Sequence, residues 1–492
     1  MQKEMEKRPN ILLITTDTQR VDTLRCMGYP EAVSPNLDRL AEEGILFERA
    51  YTAAPACMPA RCCLMTGLYS PLHGCIENGI ERQEQLPMLT DELKKLGYKT
   101  MMFGKTHYGK IPESFDVVET VNGEKGQERN DFYTKYFETN GYSQKFGWPN
   151  PVPEENCLDS LIVDRTIYHM EQGKKSETPF FAFCSILSPH SPLDPPKNYE
   201  EKYRFRDIEP PHFSKEEWKA FPPSFQDLCG LEEKNTDEPW IERMVEGKGN
   251  VADGKSIEEM CRYKALYYAS AEWCDALVGR LMDYLDQSGQ RENTLILFAA
   301  DHGQQYFDHG FNDKHTFYEE TLHVPFLLSM PSTLPANVRM GFASTVDIAP
   351  TLIGAAGGSS WSGNGIDLLK ACQTEDALLR NCAVSVIQRN MVLVTQRYKL
   401  EYYPEDQTVR LFDLENDPKE DTDQSENPVY ANVREELWKA LLLWRADLTD
   451  VSDIRSRFGK GGPIAKRAIR QLERLNGNEC DKNLIKRVAE RV

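Results

Sequence analysis

The chain alternates short apolar runs with amphipathic segments, and this alternation restricts its fold more than any other feature. Asn10 to Asp17 (NILLITTD) is a continuous apolar, β-rich run that ends in a carboxylate, the pattern of a strand buried on both faces of a sheet. In SPNLDRLAEEG, Ser34 stands as N-cap, Pro35 at the first helical position and Gly44 just past the end, which predicts a helix. The alternation returns with TDELKKLG (from Thr90) as helix, YKTMMFG (from Tyr98) as strand and PFFAFCSIL (from Pro179) as strand. ASAEWCDALVGRLMDYLDQSG (from Ala269) then reads as helix and NTLILFAAD (Asn293 to Asp301) as strand. The pattern predicts an α/β fold with a mixed, mostly parallel sheet sandwiched by helices, whose ligands bind beyond the carboxyl ends of the strands.

After about residue 372 the pattern changes. CAVSVIQ, MVLVTQ, YKLEYY and VRLFDLEND are short strands with turn signals, and VREELWKALLLWRADL is a helix, which together predict a smaller antiparallel-sheet subdomain. The expected organisation is a catalytic domain over 1–371, a C-terminal α+β subdomain over 372–451 and a basic helical tail over 452–492. Two polar, aromatic, Pro- and Gly-rich stretches, Pro112 to Asn156 and Asp194 to Gly254, read as long insertions over the sheet edge and as substrate walls.

Charge and cysteine usage exclude several classes. A formal net charge of −19 repels nucleic acid and anionic membrane at long range, so an anionic substrate must be drawn in by a local pocket. The tail is the exception, with 11 Lys and Arg against 5 Asp and Glu from Ser452 onward. No apolar run approaches the roughly 20 residues that span a bilayer. The opening MQKEMEKRPNILLITTD lacks a long apolar core or a small-residue cleavage site, so the expected location is the cytoplasm. Thirteen irregularly spaced cysteines read as reduced thiols rather than a disulfide framework, and no CxxC pair marks a zinc knuckle.

Asp17 and Asp301 each end a predicted strand, and His302 follows Asp301 directly. If the two strands are central, carboxylates and an imidazole converge at one sheet edge, which is a divalent-metal constellation. Taken singly, such an Asp could equally cap the next loop. Cys57 precedes Pro59 at the start of a predicted helix that ends near Gly67, where free N–H groups and the helix dipole favour an anion and acidify a thiol. Cys62 and Cys63 read as buried small hydrophobes.

CMPAR, from Cys57 to Arg61, fits a C-x-P-x-R signature, and at this point the chain resembles the formylglycine-dependent sulfatases of the alkaline-phosphatase-like superfamily. RPNILLITTD resembles that family's opening strand, TGLYSPLHG its continuation, GKTHYG its G-K-x-H motif and SPHSP its P-H-x-P motif. AADHG resembles its second metal-ligand motif, KHTFYEETLHVPFLL its lysine segment and RYKLEYYPEDQTVRLFDLENDPKEDTDQ its C-terminal subdomain. The resemblance runs in order from about Arg8 to Leu448.

The resemblance implies that Cys57 is oxidised to formylglycine by a formylglycine-generating or anaerobic sulfatase-maturating enzyme. One hydroxyl of the hydrated aldehyde would attack sulfur, and the other would allow the sulfated adduct to collapse and release sulfate. Asp17, Asp301, His302 and modified Cys57 would hold one divalent metal, Ca2+ in most members, with Mg2+ or Mn2+ as alternatives. Arg61 would hold the formylglycine, and Lys105 and Lys314 would neutralise the sulfate oxygens. His107 would orient or deprotonate the diol, and His190 would protonate the leaving oxygen. Lys105, His190 and Lys314 would also bind substrate, and His309 and His315, close to Lys314, join the expected substrate walls.

Three positions depart from the family pattern: Thr18 stands where many members have a second aspartate, His302 replaces the commoner asparagine, and Ala60 replaces a serine. A Thr18 or Gln19 oxygen would have to supply the missing ligand, or none does. The first two departures resemble a branch that includes phosphonate monoester hydrolases. The expected activity is hydrolysis of sulfate monoesters on short sulfated saccharides, acting from the chain end. The alternative with the same site is a phosphonate monoester or phosphodiester hydrolase, and a sugar-recognition protein that keeps Cys57 unmodified is a third reading. No nucleic-acid or membrane partner is expected, and a homo-oligomer stays open.

Overall fold

The computed structural model describes residues 8–448 apart from 122–138, 142–149, 227–251, 374–379 and a few shorter breaks. Its centre is an eight-stranded sheet made of β1 (Asn10–Thr16), β2 (Ile45–Tyr51), β3 (Lys99–Lys105), β4 (Val117–Val121), β5 (Phe180–Ser185), β6 (Thr294–Ala300), β7 (Phe326–Ser329) and β8 (Val338–Ser344). The spatial order is β4-β3-β5-β1-β6-β7-β2-β8. Only β7 runs antiparallel to its neighbours, β6 and β2. The expected mixed, mostly parallel sheet is therefore present.

Its two faces bury separate apolar layers, and β1 shows why an uninterrupted apolar run was needed. Ile11 and Leu13 point into the layer that holds Met58, Cys62 and Met65 of helix Cys57–Thr66. Leu12 and Ile14 point into the opposite layer, against Leu161 and Ile162 of helix Leu158–Gly173 and Trp273, Leu277 and Leu281 of helix Ile257–Ser288. Fully burying each such side chain is worth on the order of 1.5–3 kcal/mol, and only a strand apolar on both faces collects it twice.

The parallel pairing of β1 with β6 ends at Thr16 opposite Ala300, so Asp17 and Asp301 emerge side by side. β3 and β5 extend the same edge and carry Lys105 and Ser185 to it. Gly104, just before Lys105, has φ +91°, and a Cβ there would lie 2.0 Å from the Ser185 carbonyl oxygen. Only glycine lets β3 approach β5 closely enough to place that lysine.

The C-terminal subdomain is an antiparallel sheet of β9 (Ala383–Ile387), β10 (Asn390–Val394), β11 (Tyr398–Tyr403) and β12 (Thr408–Asp413) in the order β12-β11-β10-β9. Helix Ala431–Leu448 lays Leu437, Leu441 and Trp444 on it, and the same apolar cluster includes Cys63, Leu68 and Tyr69 behind the Cys57 helix. Lys399 of β11 is fully buried and pairs with Glu319 and Glu420, both at 2.7 Å. The subdomain thus braces the segment that carries Lys314.

The long helix begins at Ile257, well before the predicted Ala269, because Ser256 and Glu259 form a reciprocal capping box. β2, β4, β7 and β8 are strands that the sequence pattern does not predict. Much of both predicted insertions and all of the tail lie outside the described residues. Among the described residues no helix is long and apolar enough to cross a membrane.

Candidate active site

Cys57 opens its helix at the edge where β1, β6, β3 and β5 end, and it is 1% exposed. Asp17, Cys57, Asp301 and His302 each present one donor atom, and the four lie within 4.8 Å of one another. His302 approaches the Cys57 Sγ at 3.2 Å through Nε2, while its Nδ1 donates to the Gly303 carbonyl at 2.7 Å. That carbonyl fixes the ring so that Nε2 faces the group, the usual support for a metal-ligating histidine. Two carboxylates, an imidazole and residue 57 fit one divalent cation, with hard oxygen donors in the majority once residue 57 carries oxygen. The Sγ atom stands in for that oxygen.

Arg61, one helical turn along, is fully buried and holds the carboxylates in place. Its Nε donates to Asp301 Oδ2 at 2.9 Å, one terminal nitrogen to Asp17 Oδ2 at 3.1 Å, and the other to Ser185 Oγ at 2.7 Å and the Lys105 carbonyl at 3.1 Å. Its guanidinium is taken up by the two carboxylates, the Ser185 hydroxyl and the Lys105 carbonyl, because a buried charge is tolerated only when paired on this scale.

Lys105 Nζ pairs with Asp17 Oδ2. Lys314 Nζ reaches both the Cys57 Sγ at 3.2 Å and His190 Nε2 at 3.0 Å. Burial pushes the Cys57 thiol up, but Lys105, Lys314, His302 and a hydrogen bond from His107 more than offset it and hold the thiol well below its usual range. Burial and Cys57 raise the Asp17 carboxyl, while Lys105, His190 and Arg61 hold it well below the carboxylate range. The site therefore stabilises negative charge at residue 57.

Thr18 lies beside the donor group. It sits at φ +64° with its hydroxyl 3.2 Å from that of Tyr306 and its N–H on Asp301 Oδ1 at 3.2 Å. Gln19 turns its amide nitrogen to Thr23 Oγ1 at 3.0 Å.

His309 is placed among carboxylates. It is 1% exposed, stacks on Tyr318 at 3.5 Å and puts one ring nitrogen on Glu217 and the other 3.5 Å from Glu320, so both ring nitrogens face carboxylates. Burial lowers its proton affinity, but Glu320 and Glu217 raise it from 6.5 to about 10. A folded-state value above the unfolded one gives stability that is fully present below about pH 6.5 and is lost as the pH climbs through about 10. Replacing His309 with Gln is expected to flatten the fall of the urea midpoint over that window, and an unchanged slope would show that the pair does not titrate there. His315 pairs with Glu77 at 3.2 Å through Nε2 and donates its backbone N–H to the Pro55 carbonyl at 2.9 Å, beside the start of the Cys57 segment.

Sequence reasoning missed Asn78, whose side-chain oxygen accepts the Met58 N–H at 3.0 Å and so caps the first turn of the Cys57 helix from outside it. Asn78-Gly79 is a turn signal, but nothing in it points to a helix a score of residues earlier. Ser185 was missed for a similar reason, as a polar residue at the end of an apolar strand.

An α/β sheet that gathers two acidic residues, an imidazole and a depressed thiol beneath two lysines defines an enzyme site for an anionic ester. A family model described as Sulfatase matches residues 9–359, and one described as N-sulphoglucosamine sulphohydrolase, C-terminal, matches residues 307–447. The chain belongs to the sulfatase family of the alkaline-phosphatase-like superfamily, a family of sulfuric ester hydrolases. An arylsulfatase of Clostridium perfringens is 28% identical over 88% of this chain and 94% of its own length. An N-acetylglucosamine-6-O-sulfatase of Bacteroides thetaiotaomicron is 26% identical over 89% and 87%. Among solved structures, the phosphonate monoester hydrolase of Agrobacterium radiobacter shares the fold with a TM-score of 0.77 at 24% identity, covering 90% of this chain and 96% of that one.

Proposed function

We propose that the chain hydrolyses sulfate monoesters of short saccharides from their ends, with Cys57 converted to formylglycine and a divalent cation, calcium by its oxygen-rich donor set, held by Asp17, Asp301, His302 and residue 57. The observation that carries this reading is the contact of Lys314 with both residue 57, a member of the buried donor group, and His190. The cation would supply charge stabilisation for the nucleophilic oxygen of residue 57. Lys105 and Lys314 bind the sulfate oxygens and meet the charge that develops on them. His107, which hydrogen-bonds residue 57, takes a proton from it, and His190 gives one to the leaving oxygen. Arg61 keeps the two carboxylates from swinging apart. The net charge of −19 disfavours long polyanions and supports short substrates.

The carbohydrate assignment rests on relatives such as the N-acetylglucosamine-6-O-sulfatase. Thr18, standing where many family members have a second aspartate and with its hydroxyl 3.2 Å from that of Tyr306, favours a second reading as a phosphonate monoester or phosphodiester hydrolase with the same residues. Protein co-expressed with a maturating enzyme is expected to show formylglycine at position 57 by peptide mass spectrometry. It should also cleave sulfated di- and tetrasaccharides and aryl sulfate in preference to aryl phosphonate. Intact cysteine in an active preparation would overturn the nucleophile, a preference for phosphonate would favour the second reading, and a higher kcat/KM on intact sulfated polymer would overturn the preference for short chains.

A further inference from the structure

The loop Leu187–Ser191, which carries His190 from the end of β5, is fastened to the body of the enzyme by a carboxylate that the mechanism above does not use. Asp159 stands at the second residue of helix Leu158–Gly173 and is 3% exposed. One of its oxygens accepts the Leu187 N–H at 2.8 Å and the other the Ser188 N–H at 3.0 Å, and the Ser188 side chain hydrogen-bonds to it as well. The remaining fastenings are weaker or fall elsewhere on the loop. The Asp17 N–H reaches the Ser188 carbonyl at 3.4 Å, the Tyr306 hydroxyl donates to the Pro189 carbonyl at 3.0 Å, and the Ser191 and Tyr263 hydroxyls meet at 2.6 Å. His190 then donates its Nδ1–H to the Ser191 carbonyl, and its Nε2 lies 3.0 Å from Lys314 Nζ. The direction of the imidazole is thus set by the path of the loop backbone, and both N–H groups that fix the start of that path end on Asp159.

We propose that Asp159 is a positioning residue for the leaving-group half of the reaction: by holding the Leu187 and Ser188 amides it places His190 where the ester oxygen departs. This rests on the reading of His190 as proton donor to that oxygen. A buried carboxylate accepting backbone N–H groups is a strong, charge-assisted anchor, and a displacement of about 1 Å at an acid is enough to cost its share of catalysis. General acid catalysis contributes roughly 100- to 10,000-fold, and it matters most when the leaving group is a poor one.

The test is the leaving-group dependence of kcat for a series from 4-nitrophenyl sulfate through phenyl sulfate to an alkyl sulfate, measured on the mature enzyme with calcium. Asp159→Ala is expected to lower kcat by less than about threefold on 4-nitrophenyl sulfate and by roughly 10- to 100-fold on the alkyl sulfate, with KM little changed. His190→Ala should show the same trend more steeply, and the double variant should lose little beyond His190→Ala alone. Asp159→Asn keeps one acceptor oxygen, should fall between, and carries the test if the alanine variant does not fold. Equal losses across the series, or losses that multiply in the double variant, would overturn the proposal. A steep series for His190→Ala beside a flat one for both Asp159 variants would sink the role of Asp159 alone. A flat series for His190→Ala would sink the His190 reading itself.

Discussion

Cys57→Ala is expected to lower kcat for sulfate ester hydrolysis by about 10,000-fold or more while moving the melting temperature by no more than roughly 4 °C. The side chain is small and the helix around it is held by Met58, Cys62 and Met65 in the sheet-facing layer, so its loss leaves little void. Its chemical loss is total, since Lys105, Lys314, His107 and His302 all converge on that one atom. Residual activity within tenfold of the parent would mean that another group attacks the ester. Cys57→Ser separates attack from release. A serine oxygen can accept the sulfuryl group but cannot expel it by collapse, so a burst near one equivalent without turnover is expected.

Asp301→Ala is expected to combine a stability loss with the loss of metal response. Arg61 Nε gives up its 2.9 Å partner inside a fully buried pocket, and removing one member of such a pair costs about 3–5 kcal/mol. The donor group falls to Asp17, residue 57 and His302, so affinity for the cation should fall by orders of magnitude. Chelation followed by titration with calcium resolves the two effects. The parent should gain about 2.7 kcal/mol of stability at a calcium concentration near 100 times its dissociation constant, and the variant should not respond over the same range. A variant that, given saturating calcium, melts and turns over like the parent would refute the site.

The parts of this site carried by single segments were legible. Asp17 and Asp301 could be placed because each follows an apolar run long enough to be a buried strand, and parallel strands deliver their next residue to the same edge. Cys57 could be placed because Pro59 and Gly67 bracket its helix. The C-terminal sheet was legible for the same reason, as four short strands separated by turn signals. β7 was not, since three apolar residues and a serine carry no direction, and its antiparallel entry between β6 and β2 is settled by pairing with both. β2 was hidden by the charged Glu48 and Arg49 in its middle, which sit on a strand otherwise buried.

The sequence by itself determined the elements, the order of the motifs and the residue types at the strand ends, because these follow from hydrophobic periodicity and backbone preference within a dozen or so residues. Only the tertiary structure decided what each charged side chain faces. Arg61 turned to the two carboxylates, His309 to Glu217 and Glu320, and Asp159 to the amides of the His190 loop. The reason is that a buried charge takes the partners that lie within a few ångströms once water is gone, and here those partners come from segments far apart in the chain. Local pattern carries no record of such pairings, and packing alone selects them.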